Sequence, residues 1–239
     1  MRLPTKTLER NLFNQGYKKI IAVDEVGMGS LAGPVVVCAV KFSKIFFQKR
    51  HKNLHWLRDS KLLSSRQRGI FVRELLKEKN FEYQISYCYP KTIDRINVYQ
   101  ASRLAMRRAI RRLHNANMSR PSSKRFNNEV ADPRFGKAES GRMYANNKNK
   151  KTIVLVDGKT VIKGLKLNQM PIIKGDRKIF SIACASLIAK VFRDKMMARY
   201  AKRFSEYGFE RHKGYGTKFH RVMLLKHGRS PIHRLSFKF

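Results

Sequence analysis

The stretch Ile20-Ile21-Ala22-Val23-Asp24-Glu25-Val26-Gly27-Met28-Gly29 decides the fold of this chain. Its first four residues are apolar and largely β-branched, which is typical of a strand buried on both faces. A second run of this kind, Ile153-Val154-Leu155-Val156, is closed by Asp157-Gly158. Sites in open α/β sheets commonly lie at the ends of such strands, so these acids are candidate site residues. The alternative is that each acid only shapes the turn before its glycine.

Further strands and helices alternate along the chain. Apolar runs predict strands at 34–42, 81–89 and 170–173. Apolar residues at helical spacing predict helices at 8–16, 65–79, 92–114, 181–204 and 217–227. This alternation predicts an α/β architecture, in which helices cover a central sheet.

Composition divides the chain into two parts. We expect a catalytic domain over residues 1–200 and a small, basic helical segment over 201–239. Residues 118–151 interrupt the first part, because Ser, Asn, Arg, Lys, Gly and Pro dominate there without a hydrophobic period. A structureless loop of this length is unusual inside a compact domain, so we predict a flexible polar insertion.

The charge balance is extreme: 53 Lys and Arg residues face 16 Asp and Glu residues, for a net charge of +37. Such a surplus attracts polyanions over long range, and nucleic acid is their commonest form in a cell. Composition does not separate an enzyme from a basic binding protein, and compositional drift also enriches Lys and Arg. The charge therefore predicts a nucleic-acid partner without predicting an activity.

The three cysteines, Cys38, Cys88 and Cys184, lie in apolar surroundings without the spacing of a pair. They are interpreted as reduced core thiols, which places the chain in the cytoplasm. No run of 18 apolar residues is present, and residues 1–17 lack the apolar region of a secretory signal, so no membrane contact is expected.

Asp194 is a further acidic candidate, and it lies within a predicted helix rather than at the end of a predicted strand. In the helix predicted at 181–204 it shares a face with Leu187, Val191 and Ala198. A carboxylate on an apolar face is unfavourable unless it is paired or binds a metal. The alternative to a metal is an ion pair with Lys190 or with a distant arginine.

Together Asp24, Glu25, Asp157 and Asp194 offer oxygen ligands, which suit Mg²⁺ or Mn²⁺ better than zinc. Two such ions activate water and stabilise charge on a phosphate. One tension remains, because a regular strand points Asp24 and Glu25 to opposite faces. They converge only if the strand ends there and bends into the glycine-bracketed turn, whose backbone N–H groups can approach a phosphate or hydroxyl closely.

Taken together, the chain closely resembles bacterial-type ribonuclease HII. The matching blocks occur in family order and cover most of the chain outside 118–151. They are Asp24-Glu25-Val26-Gly27, Leu31-Ala32-Gly33-Pro34-Val35-Val36, Asp59-Ser60-Lys61-Leu62, Val156-Asp157-Gly158, Lys174-Gly175-Asp176, Ser181-Ile182-Ala183 through Arg193-Asp194, Tyr207-Gly208-Phe209, His212-Lys213-Gly214-Tyr215-Gly216-Thr217 and His233-Arg234.

The resemblance implies a ribonuclease H-like fold: a central mixed sheet flanked by helices, with a small C-terminal helical appendage that completes the substrate site. It implies two divalent ions, Mn²⁺ or Mg²⁺, held by the four carboxylates named above. The implied reaction is cleavage on the 5′ side of a ribonucleotide, in RNA–DNA hybrids or at single ribonucleotides in duplex DNA, leaving 3′-hydroxyl and 5′-phosphate ends. The implied substrate contacts are Gly27, Met28, Gly29, Lys61 and Tyr215. A monomer is expected.

Two departures from the family pattern concern substrate binding. Met28 stands where the family has Arg, and Ser30 stands where it has Pro. Backbone N–H groups survive a change of side chain, so sensing of a 2′-hydroxyl is expected to persist. The guanidinium contact to phosphate would be lost, which lowers affinity or rate by about ten- to a hundredfold unless another basic residue compensates.

Two other hypotheses about the function stay open at this point. The first is a basic RNA-binding protein that keeps the fold but does not cleave RNA. Met28 and the high net charge favour this hypothesis, and the four intact carboxylates argue against it. The second is a type I ribonuclease H that needs several consecutive ribonucleotides, which the Gly27-Met28-Gly29 turn and Tyr215 oppose.

Overall fold

The computed structural model describes residues 3–49, 51, 54, 63–115 and 151–239. In these residues five strands form one sheet: β1 (Lys19–Val26), β2 (Val35–Phe42), β3 (Phe81–Cys88), β4 (Thr152–Asp157) and β5 (Asn168–Ile172). The helices are α1 (Thr7–Asn14), α2 (Lys44–Gln48), α3 (Ser65–Leu75), α4 (Pro90–Ile96), α5 (Val98–Asn115), α6 (Phe180–Arg203), α7 (Phe209–His212) and α8 (Lys218–His227). The predicted Lys61 contact and all of the predicted insertion except Lys151 lie outside the described residues.

The sheet is mixed, and its strand order is β3-β2-β1-β4-β5. Strand β1 pairs antiparallel with β2 and parallel with β4. The apolar start of β1 explains its central position, because residues 20–23 are buried on both faces and need a covering layer on each side. Helix α6 covers the face that carries Ile20 and Ala22, and α5 covers the face that carries Ile21 and Val23.

An apolar cluster separate from those on the two faces of the sheet forms the core of the C-terminal appendage that the resemblance implies. It joins the end of α6 to α7, α8 and the turn after β1 through Leu31, Met197, Phe209, Leu224 and Ile232. This packing brings the last residues of the chain against the edge of the sheet where β1 ends. The three cysteines are buried and no disulfide joins them, as predicted. Within the described residues, no helix is long and apolar enough to cross a membrane.

The single helix predicted at 92–114 is wrong, because two helices, α4 and α5, occupy this region. Asn97 separates them with a φ of 61° and a ψ of 164°, a backbone conformation that residues other than glycine rarely adopt. Its side-chain Oδ1 accepts a hydrogen bond from Gln100 N at 3.0 Å, so it caps the start of α5. Helical periodicity continues across this position, which is why the pattern does not show the break.

Replacing Asn97 tests this account of the break. Asn97→Ala should lower the free energy of unfolding by about 1–3 kcal/mol, because it removes the cap and keeps the unfavourable φ. Asn97→Gly is the matched control: it removes the same cap but adopts the conformation freely, so its loss should be smaller. Urea unfolding of the three chains measures the difference. Equal losses in both variants would contradict a strained break.

Candidate active site

Two of the predicted acids lie side by side at one edge of the sheet. Val23 and Val156 are register partners in the parallel pair of β1 and β4, and Asp24 and Asp157 each come one residue later. Asp157 Oδ1 accepts a hydrogen bond from Gly175 N at 2.7 Å, which fixes its carboxylate. The structure therefore brings together two acids that are 133 positions apart in the sequence.

Asp24 and Glu25 do not converge through a bend at the end of the strand. Strand β1 continues to Val26, so its alternation persists and the two side chains leave opposite faces. Asp24 accepts a hydrogen bond from the Ser186 hydroxyl of α6, whereas Glu25 interacts electrostatically with Arg103 of α5. The backbone also links the pair, because Glu25 N donates to Asp24 Oδ1 at 2.7 Å.

Burial and mutual repulsion disfavour the charged forms of both acids. Burial raises the pKa of Asp24 well above its usual range, and the neighbouring charges of Glu25 and Asp157 raise it further. Burial also raises the pKa of Glu25 to about 7; Arg103 opposes this shift and Asp157 adds to it. Asp24, Glu25 and Asp157, here named the acidic trio, thus form one electrostatically linked group.

The donor chemistry of the acidic trio suits a divalent cation. Its donors are all carboxylate oxygens, and Glu25 Oε2 is a buried atom without a hydrogen-bond partner in the described part of the chain. A cation among these oxygens would relieve the repulsion that raises the pKa values. Over the described ranges, however, no three Asp, Glu, His or Cys side chains are already drawn into the arrangement of a metal site.

The structure places Asp194 apart from the acidic trio. Its Oδ1 lies 2.7 Å from Lys190 Nζ, and its Oδ2 lies 3.3 Å from Arg68 Nη2 of α3. These are the pairs that the alternative interpretation of Asp194 expects. Asp194 follows Ser186 by two turns of α6, about 12 Å along the helix axis. Because Ser186 contacts Asp24, Asp194 lies about two helical turns away from the acidic trio.

The turn after β1, residues 27–33, is here named the glycine loop. Gly27 has a φ of 92°, and a Cβ at this position would lie 2.9 Å from Arg193 Cδ and closer still to its Nε. Arg234 donates to Gly27 O at 2.6 Å and to Met28 O at 2.9 Å. Both guanidinium groups are buried, so the loop is held by its carbonyl groups rather than by its side chains.

The side chains of the glycine loop and Tyr215 make different contacts. Met28 packs, partly buried, against the apolar cluster on the α5 face of the sheet. Ser30 forms an isolated antiparallel bridge with Tyr215, and Tyr215 is 37% exposed. The Arg193 guanidinium lies 5.5 Å from the centroid of this ring, within range of a cation–π contact. Tyr215 is thus held beside the loop with its ring accessible.

Sequence reasoning gave no role to four residues that organise this region: Ser186, Arg103, Arg193 and Arg234. Arg193 is fully buried and donates to the carbonyls of Pro34, Ala32 and Lys213. No local signal distinguishes it, because the second half of α6 carries several other charged residues that are not fully buried. No local pattern marks Ser186 or Arg103, because each acts on a strand residue far away in sequence.

Two solved structures share the fold of this chain. The ribonuclease HII of Archaeoglobus fulgidus, solved in complex with PCNA, superposes with a TM-score of 0.61 at 21% identity, covering 90% of this chain and 92% of that one. The protein Bst-RNase HIII, solved in complex with Mn²⁺, gives a TM-score of 0.56 at 14% identity, covering 91% and 65%. These likenesses define the class of protein: an α/β protein with a ribonuclease H-like fold.

The family follows from the sequence comparisons. The family model for Ribonuclease HII matches residues 21–143 and, in a second match, 113–239. The ribonuclease HII of Endomicrobium trichonymphae is 38% identical over 231 residues, which cover 97% of this chain and 90% of that protein. The chain belongs to the ribonuclease HII family. Membership of this family makes the chain an endonuclease of the ribonuclease H type, which is a hydrolase.

Two glycines of the loop offer a matched test of how the loop is held. Gly27→Ala should lower the free energy of unfolding by about 2 kcal/mol or more, because Ala is strained at this φ and its methyl group overlaps Arg193. Gly29→Ala should change it little, because a Cβ there meets no atom within 4 Å. Urea unfolding measures both variants. A Gly27→Ala chain as stable as Gly29→Ala would refute the proposed packing of Arg193.

Proposed function

We propose that this chain hydrolyses the phosphodiester bond on the 5′ side of a ribonucleotide, both in RNA–DNA hybrids and at single ribonucleotides embedded in duplex DNA. The products carry 3′-hydroxyl and 5′-phosphate ends. The observation that carries the proposal is the position of the acidic trio beside a backbone-held glycine loop and an accessible Tyr215. An acidic centre thereby adjoins groups that can recognise a sugar and its phosphate.

Asp24, Glu25 and Asp157 are the proposed ligands of two divalent ions, Mg²⁺ or Mn²⁺; Asp194, the fourth ligand that the resemblance implies, pairs instead with Lys190 and Arg68 in this structure. When bound, such ions supply an activated water and neutralise charge on the phosphate. The orphan Glu25 Oε2 and the raised pKa values of Asp24 and Glu25 support this assignment.

The remaining proposed contacts belong to the substrate. The backbone N–H groups of the glycine loop, including Gly27, Met28 and Gly29, would meet the sugar and phosphate, and Tyr215 would stack on a sugar. Lys61 is proposed to contact phosphate. In this proposal residues 1–200 carry the acids, and residues 201–239 complete the substrate site. A cytoplasmic monomer is the proposed form of the enzyme.

Met28 favours a second candidate function, a nucleic-acid-binding protein that has lost cleavage. Its side chain packs against the α5-face cluster, so position 28 offers no guanidinium to the substrate. The intact acidic trio favours the enzyme, because buried carboxylates that repel one another destabilise a fold that makes no use of them.

One incubation tests the proposal. Purified protein is mixed with labelled duplex DNA that carries a single ribonucleotide, in Mg²⁺, in Mn²⁺ and with a chelator. One metal-dependent nick on the 5′ side of the ribonucleotide is expected. Binding without a nick in either metal would favour the second candidate. Cleavage of a continuous hybrid without a nick at a single ribonucleotide would indicate a type I specificity.

Asp24→Asn should lower the rate of cleavage by about a thousandfold or more, because it removes a proposed metal ligand, while substrate binding is retained. The same change should raise the thermal stability of the metal-free protein, because an amide at this position carries no buried negative charge. Cleavage assays, gel shifts and thermal melts measure the three effects. Substantial residual cleavage would exclude the metal role of Asp24.

Tyr215→Ala should weaken the preference for embedded ribonucleotides far more than the affinity for plain duplex, because only the ribonucleotide site uses the ring. Base or sugar stacking on an aromatic ring is worth about 1–3 kcal/mol, so the preference should fall about fivefold or more. Titration of duplexes with and without one ribonucleotide measures both quantities. Equal losses on the two duplexes would refute the sensing role.

A further inference from the structure

Three histidines lie beneath Tyr215 and take no part in the reaction proposed above. His220 is fully buried and His233 is 3% exposed. The His212 ring stacks on the His220 ring with 4.3 Å between centroids, and the rings of Tyr207 and Phe209 pack around the group. Burial of an imidazole ring is unfavourable unless its nitrogens are hydrogen-bonded. The hydrogen-bond partners of these nitrogens therefore determine how the buried histidines are stabilised.

The partners of His220 and His233 set the direction of every hydrogen bond in the group. Ser230 N donates to His233 Nδ1 at 2.9 Å, and a backbone N–H can only donate. The proton of the neutral His233 ring is therefore on Nε2, which donates to His220 Nε2 at 3.0 Å. The His220 proton is then on Nδ1, which donates to Tyr215 O at 2.9 Å. We name this chain of bonds the histidine relay.

The histidine relay closes only when both rings are neutral. An added proton on either ring would set two N–H groups against each other, or set one against Ser230 N. Burial lowers the pKa of His220 to about 4, and neighbouring His212 adds to this shift. Burial likewise lowers the pKa of His233 to about 4, with contributions from His220, Arg229 and His212. At neutral pH both rings are therefore neutral, and all three hydrogen bonds of the relay are formed.

Both ends of the relay are attached to the proposed substrate site. Its acceptor is the Tyr215 carbonyl, and the Tyr215 backbone pairs with Ser30 of the glycine loop. At the other end, His233 forms an isolated bridge with Ala32 of the same loop. The histidine relay therefore connects two contacts with the glycine loop: the bridge of Tyr215 with Ser30 and the bridge of His233 with Ala32. Tyr215, whose ring is accessible beside the loop, is the last acceptor of the relay.

We propose that His220 and His233 are positioning residues for Tyr215: the relay fixes the backbone from which the Tyr215 ring reaches the ribonucleotide. The proposal rests on the role of Tyr215 in the proposed function. A pair of apolar side chains would fill the same space without burying four nitrogens, but it would leave the Tyr215 carbonyl with one donor, the adjacent Thr217 N at 2.8 Å, and without the donor that ties it to the C-terminal segment.

Nuclear magnetic resonance tests the relay without any cleavage. Long-range ¹H–¹⁵N spectra of the full chain distinguish the protonated nitrogen of each neutral imidazole. We expect His220 to carry its proton on Nδ1 and His233 to carry its proton on Nε2 at pH 7. The opposite tautomers, or a charged ring at that pH, would overturn the proposal. This readout also holds if the wild-type protein does not cut, so failure of the proposed function is distinguishable from failure of the relay.

Substitution tests the link to Tyr215. His220→Leu should lower the preference for a single-ribonucleotide duplex over plain DNA about tenfold, because the Tyr215 carbonyl loses its bond to the relay and keeps only the local one from Thr217 N. His220→Asn should restore part of the preference, since its amide can donate from the position of Nδ1. His227→Leu, an exposed histidine at the end of α8, is the control and should change little. Thermal melts check that each chain is folded.

A double-mutant cycle decides between positioning and general packing. If His220 acts through the Tyr215 ring, then His220→Leu in a Tyr215→Ala chain should produce almost no further loss of preference. Independent effects that multiply would overturn the proposal, as would equal losses in His220→Asn and His220→Leu. Non-multiplying losses together with partial rescue by Asn would support it.

Discussion

Burial of negative charge at the edge of the sheet is the constraint on which the rest of this structure depends. Strand β1 is apolar on both faces and lies between β2 and β4, so the acids at its end have little access to water. Ser186 meets Asp24 from α6, Arg103 faces Glu25 from α5, and Gly175 N binds Asp157. These partners satisfy the acids only in part, and the remaining repulsion favours a cation.

The second organising interaction is the capture of backbone carbonyls by two buried arginines. Arg193 and Arg234 together donate to six carbonyl groups of the glycine loop and its neighbours. Arg234 lies 207 positions after Gly27, so the C-terminal segment completes a loop that the start of the chain forms. A loop held by its backbone tolerates different side chains, which explains how Met28 turns into the core while the loop keeps its conformation.

Much of the sheet was predictable because buried parallel strands leave a strong local pattern. Apolar runs before Asp24 and Asp157 indicated two strand ends, and their parallel pairing placed both acids at one edge. Asn97 was not predictable in this way, because the periodicity of α4 and α5 continues through it. Asp194 kept two interpretations in the sequence, and its contacts with Lys190 and Arg68 are the pairs that the ionic one expects.

The sequence by itself determined the family, the α/β class and the positions of the four candidate acids, because each of these is written in local runs and ordered motifs. Only the tertiary structure decided which face each acid takes and which groups balance it. It also decided how Arg193, Arg234 and the histidine relay hold the loop and Tyr215. The physical reason is that hydrogen bonds and burial join residues up to 207 positions apart, and no local pattern records such pairs.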